Sequence, residues 1–280
     1  MSLESQSLPT RGIKSTILKL LTILGGFYIL CLISLFIYQR SFLYFPTHTY
    51  TPLNEAYANR SFQDISVRTA DGIALKAWYA PATTKPFTLV FFHGNGDSLS
   101  TASEVADPYI AAGYGFLLAE YRGYSGLPGK PTEAGLYADG RAYLNALRAR
   151  GVKSENVILF GHSLGTGVAT QMATEFDAGG LILLAPFLSV GDMAQLYFPT
   201  FPAKWIVLDR FENDKKMGKI HAPLLIVNGT DDQIIPPSQG RRLFELANEP
   251  RQFVSLPGHG HNDLFVDAVP LLLDWASRLR

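Results

Sequence analysis

The sequence has one cysteine, no excess of either charge and no phosphate-binding glycine pattern. Cys31 lies inside an apolar segment, which excludes an intrachain disulfide and a cysteine-ligated metal site. The 24 basic and 24 acidic side chains give zero formal net charge, whereas nucleic-acid-binding proteins normally carry a basic stripe. Neither a metal-ligand cluster nor a dinucleotide fingerprint occurs. We therefore expect no cofactor, no metal and no nucleic-acid partner.

One long apolar run lies near the N-terminus, from Leu20 to Tyr38, and it contains no charged residue. A helix of this length spans about 28 Å, close to the ~30 Å hydrocarbon core of a bilayer. The flanking basic residues are Arg11, Lys14 and Lys19 before it and Arg40 after it. The positive-inside rule then places the N-terminus in the cytoplasm and the bulk of the chain on the non-cytoplasmic side. We predict a cytoplasmic segment at 1–19, a single-pass transmembrane anchor at 20–39 and a connector at 40–60.

Two other interpretations of this run stay open, a cleaved signal peptide and a buried core helix. Signal peptides have an apolar region of roughly 7–15 residues followed by a small-x-small cleavage site. This run is longer, and the residues that follow, Ile37-Tyr-Gln-Arg-Ser-Phe-Leu43, contain no such site. The sequence therefore favours a membrane anchor.

Beyond residue 60, short apolar runs alternate with segments whose apolar residues have helical periodicity. Residues 62–68 and 73–79 predict a β-hairpin around the turn at Asp71-Gly72. Further strands are predicted at 87–92, 114–119, 157–160, 181–184, 224–227 and 252–256, and helices at 103–112, 132–150, after 163 and at 263–279. This alternation predicts one α/β domain over 61–280, with a mostly parallel sheet and helices on both faces. Active sites in such sheets lie beyond the carboxyl ends of the strands.

The motif Gly161-His-Ser-Leu-Gly165 follows the predicted strand Val157-Ile-Leu-Phe160 and precedes a helix. Glycine on either side of Ser163 lets strand and helix approach closely, so the serine can lie at the tip of a sharp, strained turn. The next amide, on Leu164, can then donate to an oxyanion at the helix N-terminus. The motif predicts a nucleophile elbow with Ser163 as the nucleophile.

A serine nucleophile needs an acid that orients its base, and the acid is expected after the serine at a strand end. Leu224-Leu-Ile-Val-Asn-Gly-Thr-Asp-Asp232 is a predicted strand that leads into a loop with two acids. We predict Asp232 as the acid. Asp231 is an alternative that could instead cap the turn, and Asp192 is a weaker one.

The base is expected last in the chain. Gln252-Phe-Val-Ser-Leu-Pro-Gly-His-Gly-His261 is a predicted strand that leads into a loop with two histidines. We predict His261 as the base because it lies where the last helix begins. His259 is the alternative, and it could instead be a loop residue beside the site.

The first buried strand ends in Phe91-Phe-His-Gly-Asn-Gly96, and this turn is predicted to supply the second oxyanion donor, the amide of Asn95. His93 is expected to brace the turn, since a second base is not needed. Arg122, after the next strand, is expected to brace the loops beneath the site. Asp139 is expected to be its partner or to be solvated.

With these motifs the chain resembles the α/β-hydrolase superfamily, and most of all its membrane-anchored α/β-hydrolase-domain branch, over roughly residues 41–280. The segments that carry the resemblance are Ser41-Phe-Leu-Tyr-Phe-Pro46, His93-Gly-Asn-Gly96, Tyr121-Arg-Gly-Tyr-Ser-Gly126, Glu133-Ala-Gly-Leu-Tyr137, Gly161-His-Ser-Leu-Gly165, Asp232-Gln-Ile-Ile-Pro-Pro237 and His261-Asn-Asp263. Glu120 departs from the pattern, because related chains usually carry aspartate there. The resemblance implies the α/β-hydrolase fold and a serine hydrolase that forms an acyl-enzyme on Ser163.

Residues 188–222 lie where this fold inserts lids, and they are too few for a large cap. Their apolar residues include Met193, Leu196, Tyr197, Phe198, Phe201, Trp205, Ile206 and Leu208. A small cap or flap and packing against the sheet edge are equally open interpretations. A flap near a membrane favours small acyl or lipid-like esters over large peptides. Alternative activities are a serine aminopeptidase or a thioesterase of the same fold, and a catalytically silent, membrane-anchored scaffold is a further possibility.

Overall fold

The computed structural model describes residues 10–53 and 62–279, with side chains from residue 14 onward. The chain divides into two compact units, Met1–Phe42 and Leu43–Arg280, which are described separately. Parts of the predicted cytoplasmic segment (1–9) and of the predicted connector (54–60) lie outside the described residues, as do residues 61 and 280 of the predicted domain.

The N-terminal helix, α1, runs from Thr10 to Leu43 and has 34 residues. It extends past the predicted span 20–39 at both ends. By length and composition it is the one helix in the described part of the chain that could cross a membrane. A signal sequence or the core helix of a soluble protein would pass the same test.

An eight-stranded sheet organises the described part of the second unit. The strands are β1 Gln63–Arg68, β2 Ala74–Ala80, β3 Thr88–Phe92, β4 Gly115–Ala119, β5 Val157–His162, β6 Gly180–Leu184, β7 Leu224–Gly229 and β8 Arg251–Leu256. Their spatial order is β1-β2-β4-β3-β5-β6-β7-β8. The pairs β1–β2 and β2–β4 are antiparallel, and the remaining pairs are parallel. The predicted hairpin and the mostly parallel sheet are both present.

Helices cover both faces of this sheet. They are α2 Leu99–Ala111, α3 Glu133–Ala149, α4 Leu164–Ala173, α5 Val190–Tyr197, α6 Ala203–Ile206, α7 Pro237–Glu245 and α8 Leu264–Ser277. Side chains alternate along each buried strand, so Leu89 and Phe91 pack with α2 and α8 while Val90 and Phe92 pack with α3 and α4. The core therefore consists of two apolar layers, one on each side of the sheet.

The helix α2 begins four residues earlier than the sequence pattern predicts. Ser98 caps it, because its hydroxyl accepts a hydrogen bond from the amide of Thr101 while the Thr101 hydroxyl accepts one from the amide of Ser98. This reciprocal capping box satisfies two amides and starts the helix at Leu99. The sequence pattern does not predict α5, α6 or α7, which are all short.

The carboxyl ends of β3, β5, β7 and β8 lie along one edge of the sheet, because these strands run parallel. The loops that follow them carry Asn95, Ser163, Asp232 and His261, in that order. The topology therefore gathers at one edge the side chains that the motifs single out.

Candidate active site

Ser163 joins β5 to α4 and has a strained backbone. Its φ is 50° and its ψ is −118°, a conformation that costs a residue with a Cβ about 1–3 kcal/mol. A Cβ on Gly161 would lie 2.6 Å from the carbonyl oxygen of Gly165. A Cβ on Gly165 would collide with the carbonyl oxygen of Phe92. The sharp turn forms because both flanking positions lack a side chain.

Ser163, His261 and Asp232 form a continuous series of hydrogen bonds. The Oγ of Ser163 lies 2.9 Å from Nε2 of His261, and Nδ1 of His261 lies 2.7 Å from Oδ2 of Asp232. A carboxylate only accepts hydrogen bonds, so Nδ1 carries a proton, and Nε2 is the ring nitrogen that can accept from the serine hydroxyl. Three residues from three separate motifs thus lie within proton-transfer reach of one another.

Asp232 is held in its charged form. Burial raises the pKa of its carboxyl group, but the hydrogen bond from His261 and the amides of Ile235 and Ile234 outweigh burial, so the pKa lies below its ordinary value. Both amides donate to Oδ1, at 2.8 and 2.9 Å, which leaves Oδ2 for the histidine. A charged Asp232 can therefore stabilise a positive charge on the His261 ring.

The alternative acids and base have other partners. Asp231 is exposed, His259 is bonded to Asp267 at 2.6 Å, and Asp192 is paired with Lys204 at 2.6 Å. The predicted acid and base, rather than these, are bonded in series to the serine. Within 10–53 and 62–279, no group of three or more histidine, cysteine, aspartate or glutamate residues could hold a metal ion.

The two predicted oxyanion donors lie in turns that follow neighbouring strands, β3 and β5. Leu164 is the first residue of α4, where an amide has no acceptor one turn earlier in the helix. Asn95 lies in the turn after β3. The turns approach closely, since a Cβ on Gly165 would lie 2.8 Å from the carbonyl oxygen of His93. Two amides can donate to one substrate oxygen only when their turns are this near.

The turn that carries Asn95 rests on a buried histidine–carboxylate pair. His93 Nε2 lies 2.9 Å from Glu120 Oε1, and His93 Nδ1 lies 2.8 Å from the carbonyl oxygen of Gly94. One of these oxygens belongs to a carboxylate and the other to a backbone carbonyl. Both can only accept hydrogen bonds, so both ring nitrogens of His93 carry protons. Burial lowers the pKa of His93, but the Glu120 carboxylate outweighs burial and raises it above its ordinary value. His93 braces the turn and has no nitrogen left to accept a proton.

Arg122 braces a second part of the loops, and its partners are two aspartates rather than Glu120. Its Nε donates to Asp139 at 2.8 Å, and its backbone amide donates to the same carboxylate at 2.9 Å. Its other nitrogens donate to Asp71 at 2.6 and 3.0 Å. Asp71 lies in the β1–β2 turn, where the sequence predicts only a turn. No local pattern marks it as a partner of Arg122.

His162 is a further residue beside the site, and the motifs predict no role for it. It is buried, and its Nε2 lies 3.2 Å from the carbonyl oxygen of His261. Burial and the neighbouring His261 lower its pKa to about 3, so the ring is neutral and Nε2 donates the hydrogen bond. His162 therefore supports the loop that carries His261. Its position inside the elbow motif is the one signal that could have identified it.

Four of the apolar residues named in the 188–222 region are exposed (Leu196, Tyr197, Trp205 and Leu208), whereas Met193, Phe198, Phe201 and Ile206 are half-buried. Trp205 is 76% exposed and Tyr197 is 55% exposed. The Tyr197 hydroxyl donates to the carbonyl of Ile234 at 2.8 Å, so α5 reaches the loop that carries Asp232.

The sequence has relatives in bacteria and vertebrates. The family model for serine aminopeptidase, S33, matches residues 85–213. An uncharacterised protein of Mycobacterium tuberculosis is 35% identical over 240 residues, which cover 84% of this chain and 83% of that protein. The human alpha/beta hydrolase domain-containing protein 17B is 38% identical over 183 residues, which cover 64% of this chain and 61% of the human protein.

The fold also has relatives among solved structures. An esterase from Pyrococcus furiosus superposes with a TM-score of 0.69 over 84% of this chain and 98% of that chain, at 17% identity. At this low identity the superposition shows the fold alone, and the shared fold confirms the predicted fold class. The sequence relatives support a hydrolase activity. The chain belongs to the α/β-hydrolase superfamily.

Proposed function

We propose that this chain is a serine hydrolase that cleaves a carboxylic ester. Ser163 is the nucleophile, His261 the general base and Asp232 the residue that orients His261. The observation that carries the proposal is the series of hydrogen bonds from the serine hydroxyl to the carboxylate, at 2.9 and 2.7 Å, with the serine on a strained turn at the sheet edge.

The reaction proceeds through an acyl-enzyme. Ser163 Oγ attacks the ester carbonyl carbon while its proton passes to Nε2 of His261. The amides of Asn95 and Leu164 stabilise the negative oxygen of the tetrahedral intermediate, and each such donor contributes roughly a factor of 10²–10³ in kcat. His261 then gives its proton to the leaving alkoxide. Water attacks the acyl-serine with His261 again as base, His261 returns that proton to Ser163 Oγ as the acyl–serine bond breaks, and the carboxylic acid leaves.

The flap supports a small acyl or lipid-like substrate. Its exposed Trp205 and Tyr197 offer apolar surface, and Tyr197 contacts the loop that carries Asp232. Apolar surface stabilises an acyl chain by roughly 25 cal/mol per Å² buried. We infer that esters with short-to-medium acyl chains are the preferred class. An acyl thioester would react by the same steps and is the nearest alternative.

An aminopeptidase is the second candidate, since the matching family model is described by that activity. Selection of a free amino terminus requires a negative side chain that is not already neutralised. Asp232 is bonded to His261, and Glu120 is buried against His93. Neither of these two carboxylates is available to a substrate amine, and ester hydrolysis needs no such group, so we favour ester hydrolysis.

The test uses the full chain in nonionic detergent. We expect a fluorophosphonate probe to label the wild type but not the Ser163→Ala variant. We also expect the wild type to hydrolyse p-nitrophenyl butyrate or octanoate faster than an octanoyl thioester or aminoacyl anilides. No labelling of folded wild type would overturn the serine mechanism. Cleavage of the anilides with the esters left intact would establish the peptidase instead.

We further propose that α1 anchors the chain in a membrane, with residues 20–39 in the bilayer and the hydrolase domain on the non-cytoplasmic side. The length and apolar composition of α1 and the basic residues before residue 20 support this. Alkaline carbonate should leave the chain in the membrane pellet. Protease added to intact cells should digest the domain. Release by carbonate would contradict the anchor, and protection from protease would contradict the topology.

A further inference from the structure

The side chain of Asn95 makes three hydrogen bonds with two other parts of the domain. Its Nδ2 donates to the carbonyl of Leu43 at 2.7 Å, and its Oδ1 accepts from the amide of Phe45 at 2.8 Å. The same Oδ1 accepts from the hydroxyl of Tyr124 at 2.9 Å. The amide group of Asn95 thus bonds Leu43 and Phe45 much as a neighbouring strand would.

The Leu43–Phe45 segment is itself fixed in the domain. Tyr44, between its two hydrogen-bonded residues, is buried in the core layer that contains Val90 and Phe92. Further along, the hydroxyl of Thr47 lies 3.4 Å from that of Ser125. Leu43 is the last residue of α1, so this segment begins where the long apolar helix ends.

The backbone amide of Asn95 is also the proposed second donor to the oxyanion. We propose that the Leu43–Phe45 segment is a positioning element of the oxyanion hole, and that the Asn95 side chain is the positioning group through which it acts. The inference rests on the proposed function, because it assigns a role to the surroundings of that site. It implies that the hydrolase requires the chain just after α1 to remain joined to the domain.

Asparagine suits this role because it combines one donor nitrogen with an oxygen that accepts two bonds. Aspartate would keep both acceptor bonds but would set a charged oxygen against the Leu43 carbonyl. Alanine would remove all three bonds. Both replacements keep the backbone amide of residue 95, so the proposed oxyanion donor is still present. A loss of rate then indicates that this amide has been displaced.

The first experiment compares Asn95→Ala and Asn95→Asp with wild type on p-nitrophenyl butyrate. We expect kcat to fall about 10- to 100-fold with KM within about threefold, since a displaced donor loses part of its 10²–10³ contribution. The inhibition constant of an alkyl trifluoromethyl ketone, which forms an oxyanion on the serine, should rise in parallel. A purely structural role would lower the fraction of Ser163 titrated by fluorophosphonate and leave that constant unchanged.

A second pair of variants keeps Asn95 intact. Phe45→Pro removes the amide that donates to Asn95, whereas Phe45→Ala keeps it and removes the same exposed ring. We expect kcat of Phe45→Pro to be at least about tenfold below that of Phe45→Ala. The inference would be overturned if kcat were equal in Phe45→Pro and Phe45→Ala, or if Asn95→Ala kept the kcat and inhibitor affinity of the wild type. The proposed function would still stand in that case, provided that fluorophosphonate labels the wild type. Absence of wild-type labelling and activity would overturn the proposed function itself.

Discussion

Two buried histidine–carboxylate pairs stand at the carboxyl edge of the sheet, and they differ in one partner. In His261–Asp232 the hydrogen bond measures 2.7 Å, and in His93–Glu120 it measures 2.9 Å. The second ring nitrogen of His261 faces the Ser163 hydroxyl at 2.9 Å. The second ring nitrogen of His93 faces a backbone carbonyl at 2.8 Å.

The group that faces the second ring nitrogen determines whether the histidine can act as a base or only supports the structure. A hydroxyl can give its proton to a neutral nitrogen, so His261 can alternate between neutral and charged forms. A carbonyl can only accept, so His93 holds both protons against Glu120. In the proposed mechanism the carboxylate of Asp232 orients a reactive ring, whereas that of Glu120 neutralises a fixed cation. Changes in the first pair should act on rate, and changes in the second on stability.

The largest effect is expected from His261→Gln. Glutamine can still hydrogen-bond to Ser163, but it cannot take the proton, so kcat should fall by about 10⁵–10⁶-fold. Initial rates on p-nitrophenyl butyrate, with Ser163→Ala as the background, measure this. Thermal unfolding followed by circular dichroism serves as the control for folding. A loss of less than about tenfold would remove His261 from the chemistry.

Asp232→Asn should lower kcat by about 10⁴-fold. The asparagine amide would donate to Nδ1, which moves the ring proton to Nε2, where it blocks acceptance from Ser163. The matched control is Asp231→Asn, at the adjacent and exposed position, and its rate should stay within about twofold of wild type. A similar loss in both variants would assign the effect to the loop rather than to the tautomer.

Glu120→Gln should act on stability instead. It leaves the His93 cation buried without its counter-charge, which is expected to lower the free energy of unfolding by about 3–5 kcal/mol. Urea unfolding in nonionic detergent measures this loss. The rate per folded molecule, referred to fluorophosphonate-titrated enzyme, should fall by less than about tenfold. A large loss of rate without loss of stability would contradict the contrast between the two pairs.

The same pair predicts a pH dependence. The folded pKa of His93 is raised above the ordinary value of 6.5, so between those two pKa values the folded chain holds a proton that the unfolded chain has lost. The stabilisation is complete below pH 6.5 and is lost as the pH rises through the folded pKa. The difference in unfolding free energy between wild type and Glu120→Gln should therefore shrink from pH 6 toward alkaline pH. A difference that grows with pH would mean that the ring is neutral.

The site residues that the sequence predicts are those with a local signature. Ser163 is marked by its glycines and by the strand and helix around them. Asp232 and His261 each follow a recognisable strand. Fold class was predictable for the same reason, because apolar runs and helical periodicity alternate along the chain.

The supporting contacts were not predictable, because they join positions far apart without a shared pattern. Asn95 bonds Leu43 and Phe45 from 52 and 50 positions away. His162 bonds the carbonyl of His261 from 99 positions away. A side-chain amide or a single ring nitrogen has many possible partners, and only the folded sheet edge selects one.

A third pair tests whether distance alone makes a histidine reactive. His259 is bonded to Asp267 at 2.6 Å, as close as the buried pairs, but the aspartate is exposed. Water screens the attraction between His259 and the exposed Asp267, so this carboxylate does not stabilise a buried imidazolium. We therefore expect His259→Gln to keep kcat within about twofold of wild type on p-nitrophenyl butyrate. A loss of tenfold or more would make His259 part of the chemistry, and the partner of the second nitrogen would no longer distinguish a base from a brace.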